Sequence, residues 1–106
     1  MKMYIIVKES IPDNLVPVIT AHASLACFLK YEQDEEMRRW INSIFKKTVC
    51  KVTEVEFEKA RQVEKNVLLT ESSLNNQEVC LAFAPRKEYP KFFKYFRLWS
   101  PQASIY

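Results

Sequence analysis

The chain contains no glycine in its 106 residues. Glycine is the residue that most easily adopts positive φ and that lets a backbone approach a phosphate group closely. The glycine-rich loops of P-loop and dinucleotide-binding proteins are therefore excluded, and any turn that needs positive φ must use another residue.

Length and hydrophobic content predict one small domain. With 48% hydrophobic residues, a chain of this size can bury one core. We assign residues 1–99 to that domain and residues 100–106 to a C-terminal tail that is either disordered or docked through Tyr106. No apolar run reaches 18 residues, and the apolar block near the N-terminus is short and β-branched. These features predict a cytoplasmic protein without a membrane segment.

The three cysteines, Cys27, Cys50 and Cys80, are far apart and lie in apolar surroundings. Zinc sites and redox motifs need closely paired cysteines. We therefore predict buried, reduced thiols, no metal and no cofactor.

Hydrophobic periodicity predicts the order β-α-α-β-α-β-β-α. Residues 3–7 form a continuous apolar run, as expected for a central strand. Helical spacing extends from Leu15 to about Tyr31 after a turn and helix N-cap supplied by residues 12–14. Thr53 and Glu56 form a capping box that opens a helix to about Lys65. The remaining predicted elements are a helix near residues 34–44, strands at 47–52, 66–70 and 78–83, and a last helix at 89–95. This order predicts an α/β fold with a mixed, mostly parallel four-stranded sheet and helices on both faces.

Several strings and their order resemble the type 2 peptidyl-tRNA hydrolase family, in particular its divergent branch called peptidyl-tRNA hydrolase domain-containing protein. The matching segments are residues 2–7, 12–23, 79–85 and 96–99. The resemblance implies an enzyme that hydrolyses the ester between peptide and tRNA. Such a reaction needs a base that activates water and donors for the oxyanion.

The chain departs from that family's pattern at its functional positions. Asn14 and Leu15 replace a Gly-Lys pair, and Ile19 and Thr20 replace the Gln-Cys pair that precedes the retained His22 and Ala23. A carboxylate is kept as Glu71 in a shortened loop, but Val79 replaces the threonine of the fourth strand. The resemblance therefore implies a degenerate catalytic set, weakly active or inactive.

The candidate catalytic residues are Glu71, His22 and Lys8. Glu71 follows a strand end, where ligands of α/β sheets usually bind, and Lys8 ends the first strand. His22 is the only histidine, but its helical position also fits a half-buried side chain bonded to backbone. The candidate substrate-binding residues are Ser72, Ser73, Thr20, Arg86 and Lys87, although loop serines are mostly turn residues.

The C-terminal segment suggests a competing, non-catalytic function. Five basic residues and one acidic residue lie in residues 84–106, interleaved with aromatic residues. This pattern fits contacts to tRNA-like RNA, but Tyr89, Phe92, Phe93 and Phe96 also have the spacing of a helix covering a core. A protein partner could instead bind exposed aromatics such as Trp40, Trp99 and Tyr106. The sequence leaves the oligomeric state open, with a homodimer as one alternative.

Overall fold

The computed structural model describes residues 1–101, which contain one five-stranded sheet. The strands are β1 (Lys2–Lys8), β2 (Lys47–Val52), β3 (Asn66–Glu71), β4 (Gln77–Arg86) and β5 (Arg97–Leu98). Their spatial order is β3-β4-β1-β2-β5, and only β1 and β2 are parallel neighbours. A mixed α/β sheet is confirmed, but the prediction of four mostly parallel strands is wrong.

The position of β4 explains the difference. β3 and β4 form the expected antiparallel pair, and it is β4 that also pairs with β1. Two neighbouring parallel strands need a crossover connection between them. The helices between β1 and β2 provide such a connection, and these two strands form the parallel pair of the sheet. β5 has two residues, which pair with Cys50 and Lys51, and a strand this short leaves no periodic pattern in the sequence.

The helices are α1 (Val16–Tyr31), α2 (Glu35–Ile41) and α3 (Glu54–Arg61). The capping box at Thr53 and Glu56 is present, with hydrogen bonds of 3.1 and 2.8 Å in the two directions. α3 ends at Arg61, four residues before the predicted end, and Lys65 beyond it takes positive φ. The predicted last helix is a 3₁₀-helix over Lys91–Tyr95.

The two faces of the sheet have separate cores. The first face, covered by α1 and α2, buries Ile5 and Val7 of β1, and the second, covered by α3 and the 3₁₀-helix, buries Tyr4 and Ile6. This alternation is the period-two pattern of a strand buried on both sides. Between Leu69 and Thr70 the register shifts, so that Val79 and Cys80 both join the first core.

Among residues 1–101, four non-glycine residues take positive φ. They include the adjacent pair Asn75 and Asn76, at 55° and 59°, which turns the chain before β4. Asparagine tolerates this region better than most residues. Phe45 and Lys65, at 38° and 60°, are less suited to it. Asparagine thus supplies the turn that glycine would make elsewhere.

The three cysteines are buried and unbridged, as predicted. Burial raises the pKa of Cys50 to about 11 and that of Cys27 to about 12, and it raises the pKa of Cys80 further. The predicted tail begins with Ser100 and Pro101, which are exposed and irregular. The rest of it, with Tyr106, lies outside the described residues.

Candidate functional site

Glu71 is held in place by the turn that follows β3. Its Oε2 accepts hydrogen bonds from the backbone N–H and the hydroxyl of Ser73, at 3.0 and 2.8 Å. The carboxylate thereby acts as the N-cap of a 3₁₀-helix over Ser72–Leu74. These bonds stabilise the charged form, so the pKa of Glu71 lies below its usual range. Glu71 is thus an ionised carboxylate with its second oxygen available.

His22 lines the same cavity as Glu71. The cavity lies between α1 and β3, has a volume of about 370 Å³, and has apolar walls that include Leu25, Leu29 and Leu69. His22 lies close enough for its charge to add to the lowering of the pKa of Glu71. The side chain is exposed, so the alternative of a half-buried histidine bonded to backbone is wrong. An imidazole and a carboxylate therefore share one apolar groove.

Lys8 does not join this pair. Its Nζ donates to Glu54 Oε1 at 2.8 Å and lies 4.7 Å from the centre of the Phe57 ring. Both partners belong to α3, on the opposite face of the sheet from His22. β4 also lies between β1 and β3, which separates their backbones by about 9.5 Å. Lys8 is a structural ion-pair partner beneath α3.

Of three predicted substrate-binding residues, Ser73 and Thr20 make hydrogen bonds within the protein, and Ser72 is exposed. Ser73 is occupied by Glu71, whereas Ser72 beside it is exposed. Thr20 lies on the other side of α1, where its hydroxyl donates to the Pro17 carbonyl at 3.0 Å. It lines a second cavity, of about 480 Å³, between α1 and α2. Ser72 is therefore the one of these three that can offer a donor near Glu71.

Arg86 and Lys87 lie at the far end of the sheet. Glu71 pairs with Gln77 and Arg86 with Lys2, so about nine residues of β4, or about 30 Å, separate the two ends. The Arg86 guanidinium bonds the carbonyls of Ala84 and Lys65, and the backbone N–H of Lys87 bonds Glu36. Arg86 and Lys87 therefore do not lie beside Glu71, because the extended strand β4 runs between the two ends.

The aromatic residues of the C-terminal segment mostly form core. Phe93 and Phe96 are buried and Tyr89 is half-buried, with the Tyr89 hydroxyl donating to the Lys2 carbonyl at 2.8 Å. These rings cannot stack on RNA bases. The nearby lysines remain exposed, and a cavity of about 360 Å³ is lined by Lys87, Lys91 and Lys94 together with Lys2. Trp40 is also buried, so it cannot be part of an aromatic protein interface.

Sequence reasoning missed the apolar walls of the groove. Val18, His22 and Leu25 lie on one helical stripe that faces solvent, and Leu29 extends it. A signal was present, because α1 has no Asp, Glu, Lys or Arg from Val16 to Leu29 on any side. A helix that covers a sheet normally has charged residues on its outer side.

Within residues 1–101, no cluster of three or more histidine, cysteine or acidic side chains could hold a metal ion, and no helix is long and apolar enough to cross a bilayer. Comparison of the chain with models of known protein families and with curated proteins finds no match.

Proposed function

We propose that this protein hydrolyses an ester of the peptidyl-tRNA type at the groove between α1 and β3, with His22 and Glu71 as its reacting pair. The observation that carries this proposal is that the only histidine and an ionised carboxylate line one exposed, apolar cavity. Its resemblance to type 2 peptidyl-tRNA hydrolases supports the choice of ester. The three thiols are buried, and the Ser73 hydroxyl is engaged with Glu71 Oε2 in the turn after β3, so water is the proposed nucleophile.

His22 would act as the general base and accept a proton from water as the water attacks the ester carbonyl. Glu71 Oε1 can accept a hydrogen bond from the imidazolium that forms, while Oε2 stays on Ser73. As the tetrahedral intermediate collapses, the bond between the acyl carbon and the ribose oxygen breaks, and His22 returns the proton to that oxygen. The products are a carboxylic acid and a free ribose hydroxyl, so atoms and charge balance.

The groove's walls fit the acyl part of such a substrate. Ile19, Leu25, Leu29 and Leu69 are apolar, and no lysine or arginine lines the cavity. An uncharged acyl or peptide segment can bury apolar surface there. The exposed Ser72 hydroxyl is the proposed donor to the oxyanion.

The test is release of an N-blocked aminoacyl group from tRNA, with protein in excess and a no-protein control. Both His22→Ala and Glu71→Gln should lower the rate, and removal of the base should cost on the order of 100-fold or more. Glu64→Gln is the matched control, because Glu64 is exposed at the opposite end of the sheet. Wild-type rates in His22→Ala, or no release by the wild-type protein, would overturn the proposal.

One observation favours a second candidate, a non-catalytic RNA-binding module. Lys2, Lys87, Lys91 and Lys94 surround one cavity on the second face, with Glu88 as the acidic residue in its lining. Lysines bind phosphates through charge, so affinity for RNA should fall steeply as salt rises. Lys91→Ala and Lys94→Ala should reduce the salt slope by about one each, without changing ester hydrolysis.

A further inference from the structure

The outer face of α1 is an exposed apolar stripe. Val18, Leu25 and Leu29 are all exposed, with 54, 59 and 57% of their surface accessible, and His22 lies among them. No Asp, Glu, Lys or Arg occurs on this helix before Lys30. A solvent-facing helix of this composition leaves apolar area that is stabilised when another surface covers it.

The spacing of the stripe is that of a helix–helix seam. Residues 18, 22, 25 and 29 are separated by four, three and four positions. This alternation is the a/d repeat of antiparallel or parallel paired helices, and it keeps one line of side chains against a partner helix. A partner helix can therefore lie along this line of side chains.

Apolar grooves flank the stripe on both sides. One is the 370 Å³ cavity beside β3, and the other is the 480 Å³ cavity beside α2. Ile41 and Phe45 line the second cavity and are themselves partly exposed, as is Ile44 next to them. Ridges on a partner helix can enter such grooves at the usual interaxial distance of about 8–10 Å.

We propose that a second copy of this chain covers this face, with the two α1 helices antiparallel about a two-fold axis. Val18 of one copy then lies opposite Leu29 of the other, and His22 lies opposite Leu25. In an isologous contact, both copies contribute the same surface. Two charge-free α1 helices can pack against each other because no like charges are brought together. A polyanion is disfavoured here, since the stripe offers no lysine or arginine.

The α1 helix alone is too narrow to form a standard dimer interface. Its 16 residues make a helix about 24 Å long and about 10 Å across. The exposed Ile41, Ile44 and Phe45 widen the apolar face on the α2 side. A standard interface buries ~800 Å² per partner, so these residues have to join the contact along with the α1 stripe.

The dimer would also control the site, an extension that rests on the proposed function. His22, Leu25 and Leu29 line the groove beside Glu71 and belong to the contact stripe. A second copy would therefore exclude substrate from this groove, which makes the monomer the hydrolytic form. Hydrolysis per molecule should fall as protein concentration rises.

Sedimentation equilibrium over a wide concentration range tests the interface. The wild-type chain should change from its 12.6 kDa monomer mass to twice that mass. Leu25→Glu should remain monomeric, and Val55→Glu should dimerise like wild type, because Val55 is a 79% exposed apolar residue on α3. A wild-type protein that stays monomeric throughout, or a dimer that persists in Leu25→Glu, would overturn the proposal.

Cross-linking gives a second test that does not depend on a charged substitution. Leu25 lies within one helical turn of the proposed axis, so Leu25→Cys should form an intermolecular disulfide on mild oxidation, whereas Val55→Cys should not. The native thiols are buried and give no background. Equal cross-linking of both variants would contradict the assigned face.

Hydrolysis measured in the same samples separates this inference from the proposed function. If dimers form but no ester is cleaved at any concentration, the hydrolase proposal fails and the interface stands. If dimers form and hydrolysis per molecule stays constant, the closing of the groove is wrong.

Discussion

The two faces of the sheet differ in the residues that cover their cores: charged residues on one face and exposed apolar residues on the other. On the second face, α3 and the C-terminal 3₁₀-helix cover a mainly aromatic core, and ion pairs enclose it. Lys8 and Arg61 both lie over the Phe57 ring, and their acidic partners are Glu54, Glu58 and Glu78. On the first face, α1 and α2 cover a core of mostly aliphatic, sulfur-containing and small side chains with one buried aromatic ring, Trp40, and α1 presents further apolar groups to solvent.

The contrast shows why charged residues were poor guides to function in this chain. Lysines and arginines that looked reactive in sequence mostly make structural contacts, as Lys8 and Arg86 do. The reacting pair that we propose lies instead beside a helix whose outer face is almost free of charge. The grooves and the exposed apolar stripe are the reason we propose substrate and partner binding on the first face.

The largest expected difference between the faces is in stability. Phe93 is buried and contacts Tyr4, Phe83 and Tyr89, with ring centres 5.0–5.1 Å apart. Phe93→Ala should lower the free energy of unfolding by about 3–5 kcal/mol, because it leaves a cavity in the core. Val18→Ala on the exposed stripe should change it by less than about 0.5 kcal/mol.

Urea unfolding at low protein concentration measures both variants. Equal losses would mean that the stripe is packed within the monomer. A loss for Val18→Ala that appears only at high protein concentration would instead report the α1 interface.

Alkaline pH should destabilise both cores through their buried acids. The pKa of Cys50 is raised to about 11, and those of Cys27 and Tyr89 are raised to about 12, mainly by burial. The unfolded chain loses these protons at lower pH than the folded chain, so stability is complete below about pH 9 and falls as pH rises toward 12. Each thiol should contribute a loss on the order of 2 kcal/mol.

The measurement is the free energy of unfolding from pH 7 to 11, together with thiol labelling at pH 8. No thiol should react in the native protein, and all three should react after unfolding. Rapid labelling of Cys27 in the native protein would show that the first core is open beneath α1, which would sharpen the difference between the faces.

The smallest expected effect is that of replacing Lys8, which should alter stability slightly and leave hydrolysis at the candidate site unchanged. The Lys8 side chain is 9% exposed, whereas Glu54 is 64% exposed, so solvent screens much of their attraction. Lys8→Met should keep the apolar packing on Phe57 and change stability by no more than about 1 kcal/mol. Ester hydrolysis should be unchanged, because Lys8 is on the face opposite His22.

Hydrolysis and unfolding assays on Lys8→Met, beside wild type, check this prediction. If Lys8→Met lowered the hydrolysis rate as much as Glu71→Gln does, Lys8 would take part in the reaction. The assignment of hydrolysis to the first face alone would then be wrong.

Much of the fold was predictable from local patterns. The helical spacing up to Tyr31, the capping box at Thr53 and the alternation in β2 depend on neighbouring residues along the chain, and each is present. Burial of the three thiols also followed from their apolar surroundings. The candidate site was half predictable: His22 and Glu71 were singled out, but their shared cavity was not visible in sequence.

The sequence by itself determined most of the element types and limits and the absence of glycine loops, because these depend on side chains a few positions apart. Only the tertiary structure decided that β4 lies between β3 and β1, and this placement decides which ends and faces meet. In this arrangement Lys8 lies on the α3 side of the sheet, and Arg86 lies about 30 Å from Glu71. It also brings His22 to the edge of β3, since strand pairing and helix packing join residues far apart in the chain.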